Sequence, residues 1–150
     1  MSIKIQDKYI GTGFKPFIIA EMSGNHDHSL SKAYKLIDAA ANAGVDALKL
    51  QTYTPDTITL NSNKEDFQIK DYNANWDGRT LYDLYKLAYT PWEWHEKIFT
   101  YARSKGLIIF STPFDETAVD FLETLDVPAY KIASFENNHL PLIAKVAQTG

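Results

Sequence analysis

Apolar residues along this chain fall into two rhythms. Pro16-Phe-Ile-Ile-Ala20, Val45-Asp-Ala-Leu-Lys-Leu50, Leu107-Ile-Ile-Phe110 and Ala129-Tyr-Lys-Ile-Ala133 are short runs without a polar face. Such runs predict strands covered on both sides. Between them apolar residues recur at helical spacing. One stripe is Leu30, Ala33, Tyr34, Ile37, Ala40 and Ala41; another is Trp94, Ile98, Phe99 and Ala102; a third is Ala118, Val119, Leu122 and Leu125. A last helix is predicted from Leu140-Pro141 through Ile143, Val146 and Ala147. Ser29 and Asp115 are placed as N-caps, Thr90-Pro-Trp-Glu93 reads as a capping box, and Gly44 and Gly106 as stops. Thr80 to Tyr89 also reads as helix, whereas residues 53–79 are long, polar and irregular.

The alternation over residues 3–10, followed by Gly11 and Gly13, predicts a hairpin. The fold class is therefore α/β: a hairpin over residues 1–15, then four parallel β/α units over residues 16–150, with helices outside the sheet.

In parallel α/β folds ligands bind at the carboxyl ends of the strands. All four runs end in polar residues: Glu21; Lys49 and Gln51; Ser111 and Thr112; Lys131, Ser134 and Glu136. Lys49 and Lys131 lie inside apolar runs, where an ammonium is costly unless an anion meets it. Two such lysines at one end of a sheet point to a phosphate or carboxylate ligand, and Glu21 and Glu136 are the groups available to manage protons. The bland alternative is a strand-edge lysine paired with a surface carboxylate. For Asn25 and Tyr53, contact with a substrate competes with turn and packing roles.

His26 and His28, two apart, are a weak metal signal, and a solvated or substrate-contacting role is expected instead. His95 is expected to pack and His139 to cap or face solvent.

Composition removes several classes. With 150 residues, 45% hydrophobic and 23% charged, the chain has enough apolar content for one core. A formal net charge of -4 without a basic run argues against nucleic acid. There is no cysteine, which excludes disulfides and thiolate metal sites. No apolar segment reaches membrane-spanning length, and no signal core opens the chain, so a cytoplasmic location is expected.

Ile18-Ile-Ala-Glu-Met-Ser-Gly-Asn-His26, Leu48-Lys-Leu-Gln-Thr52, Phe110-Ser-Thr-Pro-Phe114 and Tyr130-Lys-Ile-Ala-Ser-Phe-Glu136 occur in that order. Together they resemble the signature of the sialic acid synthase family. Within it, Thr52-Tyr-Thr-Pro-Asp-Thr-Ile-Thr59 and Thr80-Leu-Tyr-Asp-Leu-Tyr-Lys86 look most like the pseudaminic acid synthases. The resemblance implies a TIM-type (β/α)8 barrel that condenses phosphoenolpyruvate with an N-acetylated amino-sugar to give a sialic-acid-like sugar acid. It implies that Lys49, Thr112, Lys131 and Ser134 hold phosphoenolpyruvate, that Glu21 and Glu136 are catalytic, and that Gln51, Asn25 and Tyr53 face the sugar. It further implies a divalent metal, Mn or Mg, whose ligands lie outside this chain, and a homo-oligomer.

A full barrel needs about 250 residues, so the chain reads as the amino-terminal half of such an enzyme, inactive by itself. N-acetylneuraminate or legionaminate synthesis are the alternatives within the family. A non-catalytic, self-assembling half-barrel that binds anions is the alternative from another class, because exposed apolar edges invite pairing.

Overall fold

The computed structural model describes residues 2–70 and 77–150, so positions 71–76 of the expected irregular stretch lie outside the described residues. The chain opens with an antiparallel hairpin, β1 (Ser2–Ile5) and β2 (Lys8–Gly11), in register Ile3 to Ile10. Three parallel strands follow in the order β3 (Ile19–Glu21), β4 (Ala47–Thr52) and β5 (Ile108–Pro113). The helices are α1 (Leu30–Asn42), α2 (Pro55–Ile58), α3 (Leu81–Ala88), α4 (Trp92–Ser104), α5 (Glu116–Glu123) and α6 (Leu140–Ala147).

Local chemistry explains most boundaries. The Ser29 hydroxyl accepts from the Lys32 amide at the start of α1, and the Asp115 carboxylate accepts from the Thr117 amide at the start of α5. Gly44 and Gly106 follow helix ends with φ of +73° and +79°, where a Cβ would be strained.

Strand alternation divides the sheet into two faces. Leu48 and Leu50 of β4 and Ile109 of β5 pack under α1 and α4 with Ile37, Ile98, Phe99 and Leu122, the main core. The opposite face carries Ala47, Lys49, Gln51 and Tyr53 from β4 and its end, and Ile108, Phe110, Thr112 and Phe114 from β5 and its end. It is built in three levels. Ala47, Ile108 and Phe110 form an apolar floor on which Ile5, Phe17 and Ala129 pack. Lys49, Gln51 and Thr112 form a polar middle. Tyr53, Phe114 and Ala133, with Ile58, Tyr85 and Tyr89 against them, form an aromatic rim.

Three expectations change. The run ending at Ala20 is not covered on both faces: β3 is an edge strand of three residues, and Ile18 and Ile19 are 50% and 41% exposed. The Ala129–Ala133 run is not a buried strand. Its one β-bridge joins Tyr130 to Ser111, and Lys131 is exposed. With a neighbour on one side only among the described residues, apolar content alone does not close a ladder. Thr90 does not cap α4, whose N-cap is Pro91 without a side-chain bond. A capping box forms ten residues earlier, where Thr80 and Asp83 satisfy each other's backbone amides at the start of α3.

Candidate active site

Register sets the centre of the site. Glu21 of β3 pairs with Lys49 of β4, and Gln51 of β4 pairs with Thr112 of β5. The Lys49 side chain is 6% exposed, and its Nζ lies 3.3 Å from Glu21 Oε1 and 3.5 Å from Thr112 Oγ1. An ammonium this buried needs an anion. Glu21 supplies one, but the Glu21 side chain is 59% exposed, so its charge is largely solvated and the ammonium keeps donors for a second anion.

Beside this cluster lies a hollow of about 270 Å3. Gln51, Lys131 and Ser134 form its polar lip; Tyr53, Ile58, Tyr85 and Phe114 form its apolar wall. Tyr53 meets Tyr85 and Phe114 edge to face, with centroids 5.6 and 5.3 Å away. Burial holds the Tyr53 phenol protonated far above its ordinary range. The Lys131 amide donates to the Ser111 carbonyl at 3.2 Å, which fixes its backbone at the sheet while its side chain remains exposed.

Ser134 opens a single 3-10 turn, Ser134–Glu136. Glu136 Oε2 is buried without a hydrogen-bond partner among the described residues. Burial pushes the Glu136 carboxyl above its ordinary value, with its own backbone amide, then Lys131 and His139, opposing in part. Glu136 also raises the Tyr85 phenol, after burial itself, which places the carboxyl near the hollow. A partly buried carboxyl whose neutral form is favoured, with a lysine near it, suits acid–base work.

Asn25 is exposed. Its Nδ2 donates to the Met22 carbonyl at 3.0 Å and closes the loop after β3. His26 is fully buried rather than solvated: its Nδ1 accepts from the His28 amide, so Nε2 carries the proton and donates to Thr90 Oγ1 at 3.0 Å. Burial, then the neighbouring His28, holds His26 below its ordinary range. His28 stands exposed against Tyr89 and Trp94.

Sequence reasoning placed Ser111 with Thr112 at the site and left Thr52 unremarked. The structure turns Ser111 and Thr52 to the helix face, where Thr52 Oγ1 lies 2.6 Å from Ser111 Oγ and 2.9 Å from His95 Nε2. The signal was the alternation itself, since Thr52 and Ser111 are one residue out of step with Gln51 and Thr112. Among the described residues no group of three or more His, Cys, Asp or Glu side chains is arranged to hold a metal ion. No described helix is long and apolar enough to cross a membrane.

The NeuB family matches residues 36–150, three quarters of the chain and both lysine positions. The chain belongs to the NeuB family. Pseudaminic acid synthase of Campylobacter jejuni is 56% identical over 137 residues, 89% of this chain and 39% of that protein. The Helicobacter pylori pseudaminic acid synthase is 48% identical over 134 residues, with the same coverage. Among solved structures, this NeuB chain superposes on N-acetylneuraminic acid synthetase of Leptospira borgpetersenii, solved with citrate. The TM-score is 0.82 at 28% identity, over 99% of this chain and 47% of that one. The spore coat polysaccharide protein SpsE of Bacillus subtilis gives 0.75 at 38% identity, over 99% of this chain and 38% of that one. The NeuB chain thus spans about two fifths of the length of the curated relatives it matches.

Proposed function

We propose that these residues form the phosphoenolpyruvate-binding part of a cytoplasmic, homo-oligomeric pseudaminic acid synthase. The observation that carries this reading is the buried Lys49 ammonium, 3.3 Å from Glu21 and 3.5 Å from Thr112, beside the hollow that Gln51, Lys131 and Ser134 line. Lys49 and Lys131 neutralise the phosphate and carboxylate of phosphoenolpyruvate, while the Thr112 and Ser134 hydroxyls donate to its oxygens. Glu21 sets the position of the Lys49 Nζ.

In the reaction, C3 of the enolpyruvate forms a bond to the aldehyde carbon of an open-chain N-acetylated amino-sugar. Water adds at C2, and phosphate leaves by cleavage of the C2–O bond. Glu136, raised by burial, is the group suited to give or take the proton at the sugar oxygen. The apolar wall of Tyr53, Tyr85 and Phe114 suits the acyl methyl groups of such a sugar, and Gln51 its polar edge. The pseudaminic reading is favoured over legionaminate because identity is 56% to the pseudaminic acid synthase of C. jejuni and 35% to its N,N'-diacetyllegionaminic acid synthase.

The test is titration calorimetry of phosphoenolpyruvate against the protein and its Lys49→Met and Lys131→Met variants. Each variant keeps much of the stem volume and removes the cation. A loss of at least about tenfold in affinity is expected for each. Unchanged affinity in both variants refutes the site.

A further inference from the structure

We infer that His95 is a positioning residue for this site. Through Thr52 and Ser111 it holds the carboxyl ends of β4 and β5, and with them Gln51, Thr112 and Lys131, in the spacing that an anion needs. The inference rests on the phosphoenolpyruvate reading above.

The geometry gives the chain of bonds a direction. The Pro91 carbonyl can only accept, so His95 Nδ1, 3.2 Å away, carries the proton and donates. His95 Nε2 is then an acceptor and takes the Thr52 hydroxyl proton at 2.9 Å. With its own proton committed, Thr52 Oγ1 accepts from Ser111 at 2.6 Å. All three side chains are buried, His95, Thr52 and Ser111 each at 0% exposure. Replacing hydrogen-bonded partners together by apolar groups of the same shape is often nearly neutral, so bulk stability alone does not account for the polar chain. What the polar chain adds is direction and distance.

Each member adjoins the site. Thr52 follows Gln51 and precedes Tyr53; Ser111 precedes Thr112. Because the pleat alternates, fixing Thr52 and Ser111 on the helix side fixes Gln51 and Thr112 on the site side. Ser111 also forms the β-bridge to Tyr130, and its carbonyl accepts from the Lys131 amide. One buried residue therefore anchors β4, β5 and the Lys131 backbone to α4.

Four variants separate positioning from packing. Thr52→Val deletes the hydroxyl and keeps the shape; Thr52→Ser keeps the hydroxyl. His95→Phe deletes both nitrogens, and His95→Gln returns an amide oxygen to accept from Thr52. Phosphoenolpyruvate affinity is read by calorimetry, and the backbone amide shifts of Thr112 and Lys131 by NMR without ligand. Thr52→Val and His95→Phe are expected to weaken binding about tenfold and to move both amides, with Thr52→Ser and His95→Gln within about threefold of the parent. Thr52→Val binding as the parent does, with both amides unmoved, overturns the inference whatever its stability. A parent protein without phosphoenolpyruvate affinity overturns the function proposed above, while the ligand-free amide shifts still decide whether His95 positions these residues.

Discussion

Acid should unfold this protein earlier than its carboxylates alone would dictate, because of His95. The unfolded side chain titrates near 6.5, and burial lowers it to about 4 in the fold. Backbone carbonyls and Glu93 pull the other way, and His26 pushes further down, without reversing the effect of burial. Between these two values the unfolded chain binds the proton and the folded chain does not. Stability is therefore complete above the unfolded value, falls as pH drops from 6.5 towards 4, and is fully forfeited below the folded value.

The whole window is worth about 3 kcal/mol at 1.36 kcal/mol for each pH unit. Moving from about pH 7.5 to about pH 5 should forfeit about 2 kcal/mol of it. Burial is the main cause, and the side-chain bonds act in the same direction: a protonated Nε2 has to donate to Thr52, Thr52 then has to donate to Ser111, and the Ser111 proton loses its acceptor. Urea unfolding of the parent and of His95→Gln at both pH values isolates the histidine, since other titrating groups are common to both proteins. The stability difference between the two proteins should shift by about 2 kcal/mol against the parent on acidification. A difference independent of pH, or an imidazole that titrates above pH 6 by NMR, refutes the reasoning.

Two further outcomes follow from the geometry. In a protein that carries the whole proposed synthase, Glu136→Gln should lower turnover far more than phosphoenolpyruvate affinity, as steady-state kinetics alongside calorimetry would reveal, since the proposed proton-transfer role acts mainly in the transition state. Gly24→Ala should lower the urea midpoint by the equivalent of about 1–3 kcal/mol, because a Cβ at Gly24 falls 2.7 Å from the Ala88 carbonyl oxygen, a backbone atom that cannot swing aside.

The order of strands and helices was legible because each unit has its own period and its own caps, as with Ser29 before α1 and Asp115 before α5. The direction in which Lys49, Gln51 and Thr112 point was legible from the parallel architecture. What local pattern cannot carry is partnership at a distance. Thr90 has the sequence of a cap, but its hydroxyl is taken by His26, 64 residues away. Ser111 has the look of a site residue, but the strand continues through it because Thr52 satisfies its hydroxyl. Ala129 to Ala133 has strand composition, but a strand is a property of two neighbours, and here one bridge is all that forms among the described residues.

The stems of the irregular stretch have a consequence for how such a protein diversifies. The Tyr82 hydroxyl donates to Asp56 at 3.0 Å and so clamps α3 to α2. Ile58 and Tyr85, which contribute to the wall of the hollow, sit in those two clamped helices. The chain between the helices is thus a closed loop, and the entropy of closing a loop rises only with the logarithm of its length. Doubling it costs about 0.6 kcal/mol. Insertions and deletions there are thermodynamically cheap, while the strands that carry Lys49 and Thr112 tolerate none, because a shift of one residue turns every side chain to the other face. Evolution can therefore change the length of the segment between these two helices and leave the chemistry on the strands alone.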